Sequence, residues 1–197
     1  PSNLVFLIDV SGSMNSPKKL PLVKESLQLL TKQLRARDQL TIVVYAGSSG
    51  MVLPPTPGDQ KAEISQAINK LEAGGGTAGS KGIKLAYQKA GESFIEDGNN
   101  RVVLATDGDF NIGVTSDGAL TRLIERKREE GVYLSALGFG MGNYQGSKME
   151  KLSNKGNGNY TYIDSRLEAK KTLVSEFGGT MNTIAKDVKV QVEFNPA

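Results

Sequence analysis

The sequence predicts an α/β fold: a doubly wound, mostly parallel six-stranded sheet with helices on both faces and one short antiparallel edge strand. Three observations support this prediction. Apolar runs of strand length alternate along the chain with segments whose apolar residues recur every three or four positions. Two of these runs are apolar almost throughout, which is typical of strands covered on both faces. The 197 residues suffice for one domain with its own core.

The first strand and the first helix have the clearest patterns. Residues 4–10 read LVFLIDV and predict a buried strand at the centre of the sheet. Apolar residues then recur at steps of three and four from Leu20 to Leu34, as on one face of an amphipathic helix. Pro21 is tolerated there because it falls in the first turn.

Four further elements are predicted before residue 95. In chain order they are a strand over 40–46 (LTIVVYA), a short edge strand over 51–53 that ends at Pro54 and Pro55, a helix over 64–71 and a helix over 83–94. Between the two helices, residues 74–79 read GGGTAG. We expect this glycine-rich stretch to form a short loop with special backbone angles.

The second half of the chain continues the alternation. The predicted elements are a strand over 101–106 (RVVLAT), a helix capped by Ser116 and running through Ile124, a strand over 132–139, a short helix marked by Met149 and Leu152, and a last strand over 160–163. Strands that alternate with helices imply right-handed crossovers and a mainly parallel sheet.

The end of the chain is predicted to leave the domain. Residues 165–168 (SRLE) match a capping box before a long helix that runs to Ile184 and is interrupted by Gly178 and Gly179. Residues 188–194 (VKVQVEF) alternate with period two. We therefore expect one domain over 1–186 and, over 187–197, the truncated start of a following β-rich region. A chain that begins at Pro1 is expected to be part of a longer protein.

The absence of Cys and His excludes several kinds of site. The chain cannot hold zinc through thiolates or imidazoles, attack with a thiolate or use a Ser-His-Asp relay. Any metal must therefore bind to oxygen. The lack of Cys is compatible with the cytoplasm and with a bacterial envelope, and we favour the cell envelope, as a periplasmic protein or surface lipoprotein.

Charge and hydropathy limit the expected partners. The net charge is only +3, basic residues lie beside acidic ones as in 122–130, and aromatic residues are 6% of the chain, so we expect no nucleic-acid binding. No apolar stretch approaches the roughly 20 residues of a membrane span, so we expect no membrane insertion of this domain. The isolated domain is expected to be a monomer.

Hydroxyl and carboxylate side chains follow two strands that should be neighbours. In a sheet of order 3-2-1-4-5-6, ligands bind beyond the carboxyl ends of the first and fourth strands. Asp9, Ser11 and Ser13 follow the first strand, with Gly12 expected to let that loop turn tightly, and Asp107 follows the fourth. Thr77 lies in the glycine-rich loop that returns to the same edge.

These five oxygen donors suit Mg²⁺, with Mn²⁺ or Ca²⁺ as alternatives. Only two of them carry a formal negative charge, so the cation should keep some positive field and an open position for an outside oxygen, ideally a carboxylate. Asp, Ser and Thr beside Gly also occur in turns and helix N-caps. The combination of Asp9-x-Ser11-x-Ser13 with Thr77 and Asp107 at one edge favours the metal site.

The same segments resemble a known family. Residues 6–14 (FLIDVSGSM), 75–77 (GGT) and 105–108 (ATDG) are similar to the von Willebrand factor A (vWA) domain, a Rossmann-like fold with a metal-ion-dependent adhesion site (MIDAS). Residues 106–111 and 137–144 are similar to its bacterial YfbK-type members, in which further β structure follows the A domain.

The resemblance implies a role for each residue of the site. It assigns the metal to Asp9, Ser11, Ser13, Thr77 and Asp107, with hydroxyls bound directly and one or both carboxylates acting partly through water. It also implies that an Asp or Glu of a protein partner completes the coordination shell. We therefore expect a non-enzymatic protein-protein interaction and adhesion module.

Other functions fit the residues less well. Gly74-x-Gly76-x-x-Gly79 matches a dinucleotide fingerprint by letter but follows a helix instead of a strand. The series Asp107, Asp109, Asn111 begins like a calcium loop but has Ile112 and Gly118 where that loop needs Gly and Glu.

Two alternatives to an interaction module stay open. The first is a Mg²⁺-dependent phosphoryl transferase of the haloacid-dehalogenase type, which needs an acid two residues after its first Asp. The chain has Ser11 there, and a serine hydroxyl is a poor general acid near neutral pH. The second alternative is a structural domain with an unused site.

Overall fold

The computed structural model describes residues 1–75, 79–108, 117–140 and 146–176. In these ranges the strands and helices alternate as predicted. They are β1 Ser2–Asp9, α1 Leu20–Gln33, β2 Gln39–Tyr45, β3 Ser49–Pro57, α2 Lys61–Asn69, α3 Gly79–Glu92, β4 Asn99–Thr106, α4 Asp117–Glu129, β5 Val132–Phe139, α5 Gly146–Lys155, β6 Tyr160–Ile163 and α6 Arg166–Lys170. A 3-10 turn at Gly12–Met14 precedes α1, and a π-helical segment at Lys171–Glu176 continues α6.

The described strands form one six-stranded sheet of order β3-β2-β1-β4-β5-β6. Strand β3 is antiparallel to β2, and the other neighbouring pairs are parallel. This confirms the predicted α/β class, the predicted strand order and the central position of β1. The order reverses between β1 and β4, so the carboxyl ends of these two strands form the topological switch point.

The two faces of the sheet are covered by different helices. Side chains that alternate along β1 divide between them: Leu4, Phe6 and Ile8 pack with α1, α2 and α6, whereas Val5 and Leu7 pack with α3, α4 and α5. A strand covered on both faces needs apolar residues at every position, which explains the uninterrupted run in the sequence.

The edge strand β3 is longer than predicted. It continues through Pro54 and Pro55 to Pro57. The register with β2 shifts there, because Ile42 pairs with Leu53 but Leu40 pairs with Thr56. Proline cannot donate to a ladder, but a bulge on an edge strand does not require that donor. The two prolines therefore mark a bulge instead of the end of the strand.

Helices α1 and α2 cap each other at their carboxyl ends. Lys61, the first residue of α2, donates from Nζ to the carbonyls of Thr31 and Leu34 at 2.5 Å each. Lys24 in α1 donates to the carbonyls of Asn69 at 2.7 Å and Leu71 at 3.0 Å. Both ammonium groups bind carbonyls at or just beyond a helix end and face the negative end of a helix dipole.

Other predictions are met in part or lie outside the described residues. Ser165 caps α6 by accepting a hydrogen bond from the backbone N–H of Glu168 at 3.3 Å, as the capping box predicts. The N-cap role of Ser116, the end of the last helix, the strand over 188–194 and the boundary at 187 fall on residues that the structure does not describe. Among the described helices, none has both the length and the apolar character needed to cross a membrane.

Candidate metal site at the switch point

Asp9 is the last residue of β1, and its side chain is fully buried. Its Oδ1 accepts a hydrogen bond from the backbone N–H of Ser11 at 2.9 Å. Its Oδ2 accepts hydrogen bonds from the hydroxyls of Tyr45 at 3.1 Å and Thr106 at 3.3 Å. Both oxygens therefore have fixed orientations.

The hydrogen bonds to the buried Asp9 carboxylate do not fully offset the cost of removing its charge from water. Desolvation raises the pKa of Asp9 most strongly, and the nearby carboxylate of Asp107 raises it further. Hydrogen bonds from Ser11 and Tyr45 lower the pKa, but the net pKa lies above the usual range of an aspartate. A cation placed beside Asp9 would relieve this cost, because it would stabilise the charged form.

The first loop presents two hydroxyls side by side. The Oγ atoms of Ser11 and Ser13 lie 3.0 Å apart, with Ser11 buried and Ser13 exposed. Neighbouring ligands of an octahedral Mg²⁺, each about 2.1 Å from the ion, lie about 3.0 Å apart. The spacing of the two hydroxyls thus fits two adjacent positions of such a shell.

The tight turn of this loop does not depend on Gly12. The loop forms a 3-10 turn, but Gly12 does not adopt a positive φ. An added Cβ would meet only the carbonyl oxygen of Gly75, at an ordinary 3.6 Å. The expectation that glycine is needed at this position is therefore wrong.

The glycine-rich loop is hydrogen-bonded to the first loop. The carbonyl of Gly75 accepts from the N–H of Gly12 at 3.1 Å, and the N–H of Gly74 donates to the carbonyl of Val10 at 2.7 Å. Gly75 has a φ of +81°, a conformation that favours glycine. Thr77 itself lies outside the described residues, two positions beyond this contact.

Asp107 follows β4 directly, and its side chain is only 4% exposed. One of its oxygens, Oδ2, accepts a hydrogen bond from Nζ of Lys19 at 2.8 Å. The next residue, Gly108, has a φ of +96° and donates its N–H to the hydroxyl of Thr106 at 3.2 Å. The turn after β4 therefore requires glycine at position 108 and sets the direction of Asp107.

Four of the five predicted ligands are described, and their side chains lie close together. Asp9, Ser11 and Ser13 are joined by hydrogen bonds, and the charge of Asp107 acts on Asp9 across the switch point. All donors are oxygen atoms, as hard cations prefer, so the residues fit Mg²⁺, Mn²⁺ or Ca²⁺. Within the described part of the chain, no group of three or more acidic, His or Cys side chains could hold a metal ion; the candidate site has two such side chains, Asp9 and Asp107.

Three residues of the site were not predicted from the sequence. Tyr45 and Thr106 hold Asp9, and Lys19 pairs with Asp107. Tyr45 and Thr106 are the last residues of β2 and β4, the strands on either side of β1. The predicted strand order alone therefore places both residues next to Asp9. Lys19 lies in the loop before α1, near the rim of the site, where the sequence favours a solvated helix start over a contact with the partner and does not predict the pairing with Asp107. Asp109 and Asn111, the loop residues after Asp107, lie outside the described residues.

Comparisons with known proteins identify the family of the chain. The family model for the von Willebrand factor type A domain matches residues 3–176. YfbK of Escherichia coli is 52% identical over 196 residues, and sll0103 of Synechocystis is 29% identical over 196 residues; both alignments cover 100% of this chain. They cover 34% and 46% of those proteins, so the chain spans less than half of either relative.

A solved structure gives the same result for the fold. A von Willebrand factor type A protein from Catenulispora acidiphila superimposes with a TM-score of 0.75 at 20% identity, covering 91% of this chain and 42% of that one. The family match spans β1 to the π-helical segment and so includes every element that carries the site. The chain belongs to the von Willebrand factor type A domain family.

Proposed function

We propose that this vWA domain binds a protein partner through a divalent cation held at the switch point. The family is one of general protein-interaction and adhesion modules. The proposal adds that Mg²⁺, with Mn²⁺ or Ca²⁺ as substitutes, is held by Asp9, Ser11, Ser13, Thr77 and Asp107. It adds further that the partner supplies the carboxylate of an Asp or Glu.

The observation that carries the proposal is the pair of hydroxyls beside a buried carboxylate. Ser11 and Ser13 present oxygens 3.0 Å apart, and Asp9 is fixed next to them by the Ser11 N–H. A turn that served only to cap a helix would use a side-chain oxygen to accept from a helical N–H. Neither the 3-10 turn nor α1 has such a side-chain cap. The two hydroxyls thus cap neither the 3-10 turn nor α1.

The charge balance supports an acidic partner. With two carboxylates and hydroxyl ligands, a bound dication would not be over-neutralised, and it would supply an open position that takes an outside carboxylate oxygen. The chain's own residues have distinct tasks: Ser11 and Ser13 provide direct ligands, and Tyr45 and Thr106 hold Asp9 in place. Ordering of a site by such surrounding hydrogen bonds is common around protein metals.

Metal titration tests the first half of the proposal. Isothermal calorimetry of the chain with Mg²⁺, Mn²⁺ and Ca²⁺ should give one site, and Asp107→Ala should abolish it. Asp59→Ala is the matched control, since Asp59 is exposed in the turn after β3, at the opposite edge of the sheet. No heat of binding for any of the three ions would contradict the proposal.

Partner capture tests the second half. The immobilised chain should retain a protein from an extract of its native source in Mg²⁺, lose it in chelator and fail to retain it as Asp107→Ala. Retention that is equal in chelator would overturn the metal bridge. A phosphatase assay on the Mg²⁺-loaded chain addresses the alternative, phosphoryl transfer, for which Ser11 occupies the place of the required acid.

A further inference from the structure

The side chain of Lys19 reaches into the candidate site from the first loop. Its Nζ donates to Oδ2 of Asp107 at 2.8 Å and to the carbonyl oxygen of Ser13 at 2.9 Å. Both acceptors belong to residues assigned to the metal in the proposed function. The chain therefore places its own cation, the Lys19 ammonium, among the oxygen atoms of the candidate metal site.

Contacts with neighbouring segments of the chain hold the side chain and the backbone of Lys19 in place. Its aliphatic part lies on Gly140, which follows β5: an added Cβ there would come within 3.0 Å of Lys19 Cε and 3.3 Å of Cγ. Gly140 has a φ of +111°, and its carbonyl accepts a hydrogen bond from the Tyr162 hydroxyl of β6. The backbone of Lys19 is held as well, because its N–H donates to the carbonyl of Ser16 at 2.9 Å. These contacts give the lysine a defined path across the surface.

The Lys19–Asp107 ion pair is largely buried, so the electrostatic interaction between its two charges is strong. The side chains of Lys19 and Asp107 are 24% and 4% exposed. A carboxylate removed from water to this extent needs a counter-charge, and charges in such a setting interact more strongly than on an open surface. Asp107 cannot give its full negative charge to a metal ion while it also neutralises an ammonium.

We propose that Lys19 is a tethered cation that competes with the divalent ion for Asp107 and so sets the metal affinity of the site. This inference rests on the proposed function. In chelator the ammonium stabilises the domain by compensating Asp107. When a dication binds, the same ammonium repels it or leaves Asp107, and either event weakens binding. The domain thus takes up metal only at concentrations high enough to overcome its own lysine.

Charge removal at constant shape tests the inference. Lys19→Met keeps an unbranched apolar side chain over Gly140 and removes the ammonium. By Coulomb's law, loss of a unit charge a few ångströms from a dication should tighten Mg²⁺ binding about tenfold or more. Lys19→Arg keeps the charge and should bind Mg²⁺ within about threefold of the parent.

The matched control is Lys32→Met. Lys32 is exposed in the last turn of α1, and its removal changes the net charge of the chain by the same amount. It lies 13 residues further along, roughly 20 Å by the helical rise. At 0.1 M salt this exceeds the Debye length of about 10 Å, so the Mg²⁺ affinity of Lys32→Met should equal that of the parent.

Thermal melting gives a second readout that does not need the metal. In chelator, Lys19→Met should melt about 2–4 °C below the parent, because Asp107 loses its counter-charge. In saturating Mg²⁺ the order should reverse. This reversal separates competition from a purely structural salt bridge, which would lower the melting temperature equally in both conditions.

The outcomes are distinguishable. Mg²⁺ uptake by the parent with equal or weaker uptake by Lys19→Met overturns the role of Lys19 and leaves the proposed function standing. Uptake by Lys19→Met alone supports both. Failure of every variant to take up Mg²⁺, Mn²⁺ or Ca²⁺ overturns the metal site and the competition together. Should Lys19→Met fail to fold, Lys19→Gln is measured in the same way and decides by the same criteria.

Discussion

Tyr45 donates a hydrogen bond from its hydroxyl to Oδ2 of Asp9 at 3.1 Å, and the two residues are register partners at the ends of β2 and β1. Tyr45 is fully buried, and burial raises the pKa of its phenol well above the usual value, so the hydroxyl remains a donor. The contact therefore links the apolar core under α3 to the carboxylate of the candidate site.

Tyr45→Phe should weaken the site without unfolding the domain. The substitution keeps the ring in the core but removes one donor to Oδ2 of Asp9, whereas the Thr106 hydroxyl still donates to that oxygen. We expect the free energy of unfolding to fall by about 1 kcal/mol. Because Asp9 then loses part of its orientation, Mg²⁺ affinity should fall about tenfold or more, as for outer partners of metal ligands. Calorimetry and denaturant melts measure the two effects, and unchanged metal affinity would count against this role.

The site illustrates what the strand order does and does not predict. Asp9 and Asp107 were placed at one edge because parallel strands β1 and β4 had to be neighbours there. The lysine that meets Asp107 comes from a loop, where side-chain direction follows from contacts such as that with Gly140. Sequence periodicity carries no information about such contacts. Lys19 also offsets the charge of Asp107 and so reduces the repulsion between the Asp9 and Asp107 carboxylates.

Asp9→Asn should stabilise the domain in chelator. The folded pKa of Asp9 is raised, so the native state binds its proton more tightly than the unfolded chain does. Stability of the parent therefore falls as pH rises from about 4 through the folded pKa, and the loss is complete above it. Asn has no charge to desolvate, so the advantage of the variant should grow over the same pH range. Urea titrations between about pH 4 and pH 8 measure the difference; a parent that gained stability over Asp9→Asn with rising pH would contradict the prediction.

Asp38 should show the opposite pH dependence. Burial raises the pKa of this carboxylate, but hydrogen bonds from the side chain and backbone of Arg35 and from the N–H of Ser2 outweigh it, so the net pKa is lowered. Its stabilisation is present above the unfolded pKa of about 4 and is lost as pH falls through the folded value. Asp38→Asn should cost about 1–3 kcal/mol at pH 7 and progressively less in acid. The exposed Asp97→Asn is the control and should shift stability by less than about 0.5 kcal/mol.

The reciprocal caps of α1 and α2 predict an additive loss of stability. Lys24→Met and Lys61→Met each remove an ammonium from two terminal carbonyls and should each cost about 0.5–1 kcal/mol. Lys61 binds the carboxyl end of α1 and Lys24 that of α2, and they share no acceptor, so the double variant should equal the sum within about 0.5 kcal/mol. Lys84→Met, exposed on α3, is the control. A double variant no less stable than either single one would contradict this additivity.

The strands and helices were predictable wherever the spacing of apolar residues in the sequence matched the buried face of an element. The runs that became β1 and β4 and the stripe that became α1 were placed to within two or three residues. The error at β3 arose because prolines such as Pro54 and Pro55 usually end a strand. Here they occupy a bulge on an edge strand, where β2 does not need a backbone N–H donor from them. Which strand lies at an edge, and where its register shifts, depends on pairing that a single strand's sequence does not contain.

Gly82 should be the most sensitive glycine of α3. A Cβ at this position would lie 2.8 Å from Cβ of Tyr45 and 3.0 Å from Cδ1 of Leu7, so the helix approaches the sheet more closely than any side chain allows. Gly82→Ala must push α3 away from the strand ends, at a cost of about 1–3 kcal/mol. Because α3 follows the glycine-rich loop and covers Tyr45, the same displacement should weaken Mg²⁺ binding.

Gly91 provides the comparison within the same helix, since a Cβ there meets nothing within 4 Å. Gly91→Ala replaces a flexible residue in a helix and should stabilise the domain by about 0.5–1 kcal/mol without changing metal affinity. Opposite signs for two identical substitutions in one helix would assign the effect of Gly82 to its contact with Tyr45, because helix propensity favours alanine at both positions. Equal stabilisation by both would show that α3 does not need to lie this close to the sheet, and that the site tolerates its movement.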